Sequence, residues 1–168
     1  THEQQHAMLR YRSFKNIDPP SLAEIWRSRG GERGLLQPIS ADVFEQFVFG
    51  KVYFDCQGLI LALDDDRPVG FAHAAFGPDE NPPRLSTDKG VICMLIVRPD
   101  SAESEVAAGL IEQCEVYLGG RGAKVIHGGA VHPMNPFYLG LYGGSELPGV
   151  LDCDATAREA YRSSGYRE

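Results

Sequence analysis

The sequence predicts an α/β fold built on one mixed sheet (an α+β mixed sheet), and three observations point there. The run Val91-Ile92-Cys93-Met94-Leu95-Ile96-Val97 is apolar at every position, as a central strand covered on both faces requires. Pro99, a helix-patterned segment and a second short apolar run from Lys124 to His127 follow it, so Gly90 to Gly128 reads as strand, helix, strand with its two strands parallel. Upstream, Leu59 to Leu63 and Val69 to Phe76 flank the polar turn Asp64 to Arg67 and read as an antiparallel hairpin. A chain of 168 residues without internal repeats is one domain's worth of material, so residues 1–168 are expected to form a single domain. Its 43% hydrophobic and 23% charged residues exclude disordered, collagen-like and coiled-coil classes.

Each element has its own signal. Leu9, Tyr11 and Ser13 alternate with Arg10, Arg12 and Phe14 as in a strand, and Asp18-Pro19-Pro20 stops that strand and opens a helix. Ser21 is the expected N-cap, with Leu22, Ile25 and Trp26 on one face, and Gly30, Gly31 and Gly34 form the connection that follows. Ser40 caps a second helix whose face is Val43, Phe44, Phe47 and Val48. Three prolines and several charges make Gly77 to Lys89 an exposed loop. After the central strand, Asp100 and Glu103 stand at capping-box spacing ahead of the stripe Val106, Leu110, Ile111, Cys114 and Leu118, and Gly119-Gly120 is expected to end that helix. Pro133 to Leu151 is loop-rich with a short helical piece around Phe137 to Leu141, and a last helix runs from Asp154 or Ala155 to Ser163 and closes at Gly165.

Composition narrows the setting. With 23 acidic and 16 basic residues the net charge of −7 disfavours a nucleic-acid partner held through phosphates. The longest apolar stretch is far below the roughly 20 residues that cross a bilayer, so no membrane partner is expected. Thr1 to Arg10 has no apolar core of a secretory signal. Cys56, Cys93, Cys114 and Cys153 form no Cys-x-x-Cys pair and read as reduced, mostly buried thiols of a cytoplasmic protein. No pair of histidines has zinc-ligand spacing, so no metal is expected.

The order of elements, the Val97-x-Pro99 step leading into a helix, and the terminal pattern Asp154, Ala157, Tyr161, Gly165, Tyr166 together resemble the GNAT family of N-acetyltransferases over nearly the whole chain. The family's later helix reads N-x-x-A-x-x-x-Y-x-x-x-G-F, and this sequence departs from it only in Asp for Asn and Tyr for Phe. The segment from Asn135 to Gly149 is similar to that of the first half of tandem two-domain members. The resemblance implies a GNAT-like acyl-CoA N-acyltransferase fold and an enzyme that moves an acetyl group from acetyl-CoA, its co-substrate, to a primary amine of a small molecule or peptide in a ternary complex.

The resemblance also implies a site. The thioester would lie against Leu95, Ile96 and Val97, with a backbone N–H near Leu95 or Ile96 as oxyanion donor. The pyrophosphate would meet a helix start at Ala102, Glu103, Ser104, Glu105, Val106 and Ala107, where the family carries Q/R-x-x-G-x-G/A. Here Ala102 stands at the Gln/Arg position and Glu105 at the first Gly position, only Ala107 fits, and the carboxylates of Glu103 and Glu105 would repel a polyanion. Tyr161 is the candidate acid that protonates the departing thiolate, or else an aromatic packed on the core. His127 and His132, beside Gly128-Gly129, are candidates for a substrate-side role, whereas His73 between Phe71 and Phe76 reads as a satisfied structural histidine. Phe137, Tyr138 and Tyr142 either line a substrate pocket or cover the core.

Two functions therefore stand side by side: an active acetyltransferase, and a catalytically degenerate GNAT-like domain that serves as a binding or packing half. A nucleotide-binding doubly wound domain is disfavoured, because no Gly-rich loop follows a strand near the N-terminus. In the family two antiparallel strands follow the helix that matches the Tyr161 segment, but only Arg167 and Glu168 remain after Tyr166. The resemblance thus implies a fold lacking its last β-hairpin, whose edge a second copy in a homodimer or a second GNAT-like domain would cover.

Overall fold

The first strand, β1 (Leu9–Ser13), ends where Asp18 gathers the chain. The carboxylate of Asp18 accepts both Nη groups of Arg12, at 2.7 and 2.8 Å, and the N–H of Lys15 at 2.7 Å. Burial alone would raise the pKa of that carboxyl, but Arg12 and Lys15 hold it below the usual value. Helix α1 (Pro19–Ser28) starts directly after it with proline at its first two positions, where a missing N–H costs nothing. Asp18 is thus the N-cap residue, and Ser21, the expected cap, lies inside the helix. The computed structural model describes residues 8–31, 35, 39–78, 85–129, 134–138, 141 and 150–168.

Helix α2 (Ala41–Phe44) runs without a break into a π-helical turn, Glu45–Phe49, so the expected apolar face of this segment is kept: Phe44 and Val48 are buried, Val43 and Phe47 partly so. A 3₁₀ turn, Cys56–Gly58, leads into β2 (Leu59–Asp64), and a two-residue turn with Asp65 at φ 52° returns the chain as β3 (Arg67–Pro78). Strand β4 (Leu85–Val97) begins earlier than the sequence suggests, because Leu85 and Gly90 pair with Pro78 and Phe76; the tip of the expected loop, 79–84, lies outside the described residues.

Helix α3 (Glu103–Gly120) crosses to β5 (Val125–Gly128), which pairs in parallel with β4. Its start departs from the expected capping box. Asp100 is held by Arg67 and Arg98 instead of by the helix, so Ala102 is the N-cap residue and supplies no side-chain bond. Its end also shifts: Gly119 and Gly120 are helical, and the left-handed turn that stops the helix falls on Gly122, at φ 97°. The last helix, α4 (Ala155–Ser163), is capped by Asp154, whose side chain accepts from the N–H of Ala157 at 3.0 Å, and closes at Gly165 as expected. Tyr138 has φ 61°, outside the helical region, and residues 139 and 140 of the expected helical piece lie outside the described residues.

The five strands lie in the order β1-β2-β3-β4-β5, antiparallel except for the last pair. One face carries Phe71, Val91 and Ile96 against Leu22, Trp26 and Phe44; the other carries Ala72, Ile92 and Val97 against α3 and α4. Full burial of side chains such as Leu110, Ile111 and Leu118 stabilises the second layer by about 1.5–3 kcal/mol each. Between Gly90 and Val97 the alternation of β4 breaks once. His73 pairs with Met94 but Ala74 with Ile92, so Cys93 is the extra residue of a β-bulge, and Cys93 and Met94 both face the α1 side. All four cysteines are free, and only Cys93 and Cys114 are buried, in contrast to the expected burial of most of them.

Candidate functional site

The bulge stands at a fork in the sheet, where the β4–β5 ladder ends among the described residues. Strands β4 and β5 pair from Lys89–Val125 to Ile92–Gly128, and the N–H of Gly129 donates to the carbonyl of Ile92 at 3.0 Å. Beyond that point β4 continues to Val97 with β3 on one side only, among the described residues. The N–H of Arg98 donates to Val69 of β3 at 2.7 Å, so alternation turns Ile96 toward β3 and turns the peptide groups of Leu95 and Val97 toward the open side. The carbonyl of Val97 does point there: it accepts the Nε–H of Arg29 at 2.7 Å. Of the two expected oxyanion donors, the N–H of Leu95 therefore faces the fork and that of Ile96 does not. The fork opens into a cleft of about 430 Å³ lined by Met94, Leu95, Val97, Leu151, Ala157 and Tyr161, among others.

Tyr161 sits at the head of this cleft because α4 lays it over the end of β5. Its ring packs against Gly128, where an added Cβ would come within 2.7 Å of it, and against Tyr166 at 5.1 Å between centroids. Burial pushes the Tyr161 hydroxyl well above the ordinary phenol pKa, so it stays protonated. His127 is not brought together with it. That residue lines a separate hollow of about 540 Å³ with Lys124, Ser164 and Tyr166, and is not among the residues that line the cleft. His132 and Tyr142 lie outside the described residues.

The bulge is held from the α1 side. Asn135, 97% buried, donates from Nδ2 to the carbonyl of Cys93 at 3.4 Å and accepts the N–H of Phe137 at 3.1 Å on Oδ1. Phe137 and Tyr138 are fully buried in the α1-side core, which settles them as core cover. His73 is packed between Phe54, Phe137 and Tyr138, its Nδ1 2.9 Å from the Tyr138 hydroxyl. The expectation of a satisfied histidine holds for that nitrogen only, since Nε2 is buried without a hydrogen-bond partner. Burial pulls the His73 pKa down to about 3 despite the charge of Asp55, so the ring is neutral.

At the other end of the cleft lies the start of α3. None of Ala102 to Ala107 is among the residues that line the cleft. Val106 and Ala107 are core residues packed on the sheet, and Ala102, Ser104 and Glu105 are exposed. Glu103 is the member that reaches the rim. Its carboxylate forms an ion pair with Arg29 at the end of α1 and accepts the Thr156 hydroxyl at 3.0 Å, and both of those partners line the cleft. Sequence reasoning missed Arg29, since a lone arginine after an amphipathic helix carries no periodic signal. Of the two carboxylates expected to repel a polyanion, Glu103 is paired with Arg29 and Glu105 is exposed on the first turn of α3.

An acyl-CoA presents a narrow arm with two amides that ends in an anionic diphosphate. The cleft offers mainly apolar walls, the edge of β4 at the Leu95 peptide and the Val97 N–H, and a guanidinium beside the positive end of α3. These residues fit that group. Among the described residues no cluster of His, Cys, Asp and Glu is arranged to hold a metal ion, and no helix is long and apolar enough to cross a membrane.

Comparison with known proteins follows the same line. Residues 21–142 match the family described as "Acetyltransferase (GNAT) family". No curated protein sequence matches the chain. Among solved structures, the chain is similar to the ribosomal-protein-S18-alanine N-acetyltransferase from Escherichia coli, with 17% identity, a TM-score of 0.60, and coverage of 96% of this chain and 79% of that one. It is similar also to AAC(6')-Iy in complex with a CoA-S-monomethyl-acetylneamine bisubstrate analog, at 13% identity and TM-score 0.62, covering 96% and 92% of the two chains. A third is the aminoglycoside acetyltransferase meta-AAC0020 from an uncultured soil metagenomic sample, at 13% identity and TM-score 0.60, covering 99% and 93%. At these identities the likeness concerns the fold.

Proposed function

The chain belongs to the GNAT acetyltransferase family, and from that premise we propose that it transfers an acetyl group from acetyl-CoA to a primary amine of a small molecule or peptide by direct attack in a ternary complex. The observation that carries this reading is the fork: among the described residues the β4–β5 ladder ends beside the bulge at Cys93, and Tyr161, its hydroxyl protonated, lines the cleft at that point.

The acetyl thioester supplies an electrophilic carbonyl. The edge of β4, at the Leu95 peptide and the Val97 N–H, holds the pantetheine arm as a further strand would be held. The Leu95 N–H then donates to the carbonyl oxygen as it gains charge, an interaction worth about 3–4 kcal/mol in comparable sites. As the C–N bond forms and the C–S bond breaks, the Tyr161 hydroxyl donates its proton to the departing sulfur, and the proton lost by the amine nitrogen passes to solvent water. Tyr161 cannot serve as the base, because its raised pKa keeps it protonated. His127, which faces the other hollow, has no part in this scheme.

The test is release of free CoA thiol from acetyl-CoA in the presence of a panel of primary amines. Tyr161→Phe is expected to lower kcat by roughly 10²- to 10⁴-fold while leaving the KM for acetyl-CoA nearly unchanged. No binding of acetyl-CoA at millimolar concentration would overturn the reading. A second reading, a silent domain serving as a binding half, is favoured by the Glu103 carboxylate at the cleft rim. It predicts binding of a partner without turnover. The edge of β5, which pairs with no further strand among the described residues and leaves Val125 half exposed, is where we place a second copy or a second GNAT-like unit; a single monomeric species in light scattering would contradict it. The reduced thiols fit a cytoplasmic setting.

A further inference from the structure

The family's phosphate loop begins with a cationic or amide side chain, and here that position is Ala102, whose methyl can hold no anion. The fold brings a replacement from far away. Arg29, at the end of α1, lines the cleft next to Val97 and meets Glu103 across 74 positions of sequence. Its side chain is 12% exposed, and its Nε–H is fixed on the Val97 carbonyl at 2.7 Å, so the guanidinium is held against the strand edge and its Nη side is turned to whatever anion occupies the rim. The resident anion is the Glu103 carboxylate, which the Thr156 hydroxyl also contacts at 3.0 Å. One carboxylate thus draws together α1, α3 and α4 at the mouth of the cleft. A diphosphate has more charge and more acceptor oxygens than a carboxylate, and a guanidinium recognises it through paired N–H donors.

We propose that Arg29 is the residue that binds the diphosphate of acyl-CoA in this chain, and that Glu103 is a resident competitor which the diphosphate displaces from it. The proposal rests on the acetyl-CoA reading above. On binding, Arg29 keeps its bond to Val97 and exchanges Glu103 for a phosphate oxygen; the released carboxylate turns to solvent, and the Thr156 hydroxyl is free to donate to the same diphosphate.

Isothermal calorimetry with two probes tests this: coenzyme A, which carries the diphosphate, and pantetheine, which lacks it. The natural chain should bind coenzyme A more tightly than pantetheine. Arg29→Ala should weaken coenzyme A by roughly 10- to 100-fold, the loss of one charge-assisted contact, and leave pantetheine within about twofold, which also controls for folding. Arg29→Lys, which keeps the charge without the fork, should fall between. Glu103→Gln should tighten coenzyme A several-fold, an effect that damage to the fold cannot produce. Coenzyme A binding that survives Arg29→Ala, or that weakens in Glu103→Gln, overturns this assignment alone. If the natural chain binds neither probe, the acetyl-CoA reading falls with it.

Discussion

The two stretches of β4 on either side of Cys93, Gly90 to Ile92 and Met94 to Val97, have opposite fates. From Gly90 to Ile92 the strand is paired on both edges, with β3 and with β5, and Gly90 gives Leu118 room to press onto it. From Met94 to Val97 it pairs, among the described residues, with the strand β3 alone, and its other edge lines a cleft. Both halves are apolar, and burial does not separate them: Val91 and Ile92 are closed off, yet so nearly are Ile96 and Val97. Between them stands one extra residue, Cys93, whose bulge marks the point where the β4–β5 ladder ends among the described residues. The lesson is that a binding edge can be made inside a central strand by geometry alone, without a polar side chain in the strand.

The largest test removes that residue. Deleting Cys93 leaves Ile92, Met94, Leu95, Ile96 and Val97 on the faces they already occupy, because the bulge is the only break in alternation between Gly90 and Val97. The strand should then run on beside β5 and close the fork. We expect cooperative thermal unfolding to persist while acetyl-CoA affinity falls by at least roughly 100-fold, the usual cost of displacing a site by an ångström. Retained binding would mean that the bulge does not create the cleft.

A paired substitution sets the two halves against each other. A Cβ on Gly128 would lie 2.7 Å from the Tyr161 ring, and one on Gly90 would lie 2.9 Å from the end of Leu118. Both Gly→Ala changes should cost about 1–3 kcal/mol of stability through overpacking, read by denaturant unfolding. Only Gly128→Ala should also lower kcat, by roughly 10- to 100-fold, because it moves Tyr161 at the fork. Equal losses of kcat from both would dissolve the distinction.

The smallest test concerns His73, which pairs with Met94 at the first residue of the open half. Its pKa is about 3 when folded against 6.5 in an unperturbed ring. As pH falls below about 6.5 the unfolded chain takes up a proton that the folded chain refuses, so stability present at neutral pH is lost toward pH 3. The slope from this group should approach about 1.4 kcal/mol per pH unit, and His73→Gln should flatten that part of the stability profile. An unchanged profile would show that the ring is not sealed among Phe54, Phe137 and Tyr138.

Much of this architecture was legible in the residues. Hairpin, strand-helix-strand unit and final helix follow from apolar period and from Pro, Gly and Asp at their ends, and Tyr161 stands where a helical stripe and the family pattern agree. The bulge was not legible, because alternation carries information only when polar residues mark one face, and Val91 to Val97 contains none. Leu95 could be told from Ile96 only once the pairing register with β3 was known. The expected cap at Asp100 failed because two arginines, Arg67 and Arg98, compete for the same carboxylate. Arg29 was invisible because ion pairs between distant segments leave no periodic trace.

The central claim is that β4 beyond Cys93 offers its edge to acyl-CoA, and amide hydrogen exchange tests it residue by residue. Without ligand, the Leu95 and Val97 amides should exchange fast and the Ile96 amide slowly, since only Ile96 faces β3. With saturating acetyl-CoA, Leu95 and Val97 should become protected and Ile96 should hardly change. Leu95 and Val97 amides that are already slow without ligand, or that stay fast when acetyl-CoA is bound, would contradict the account.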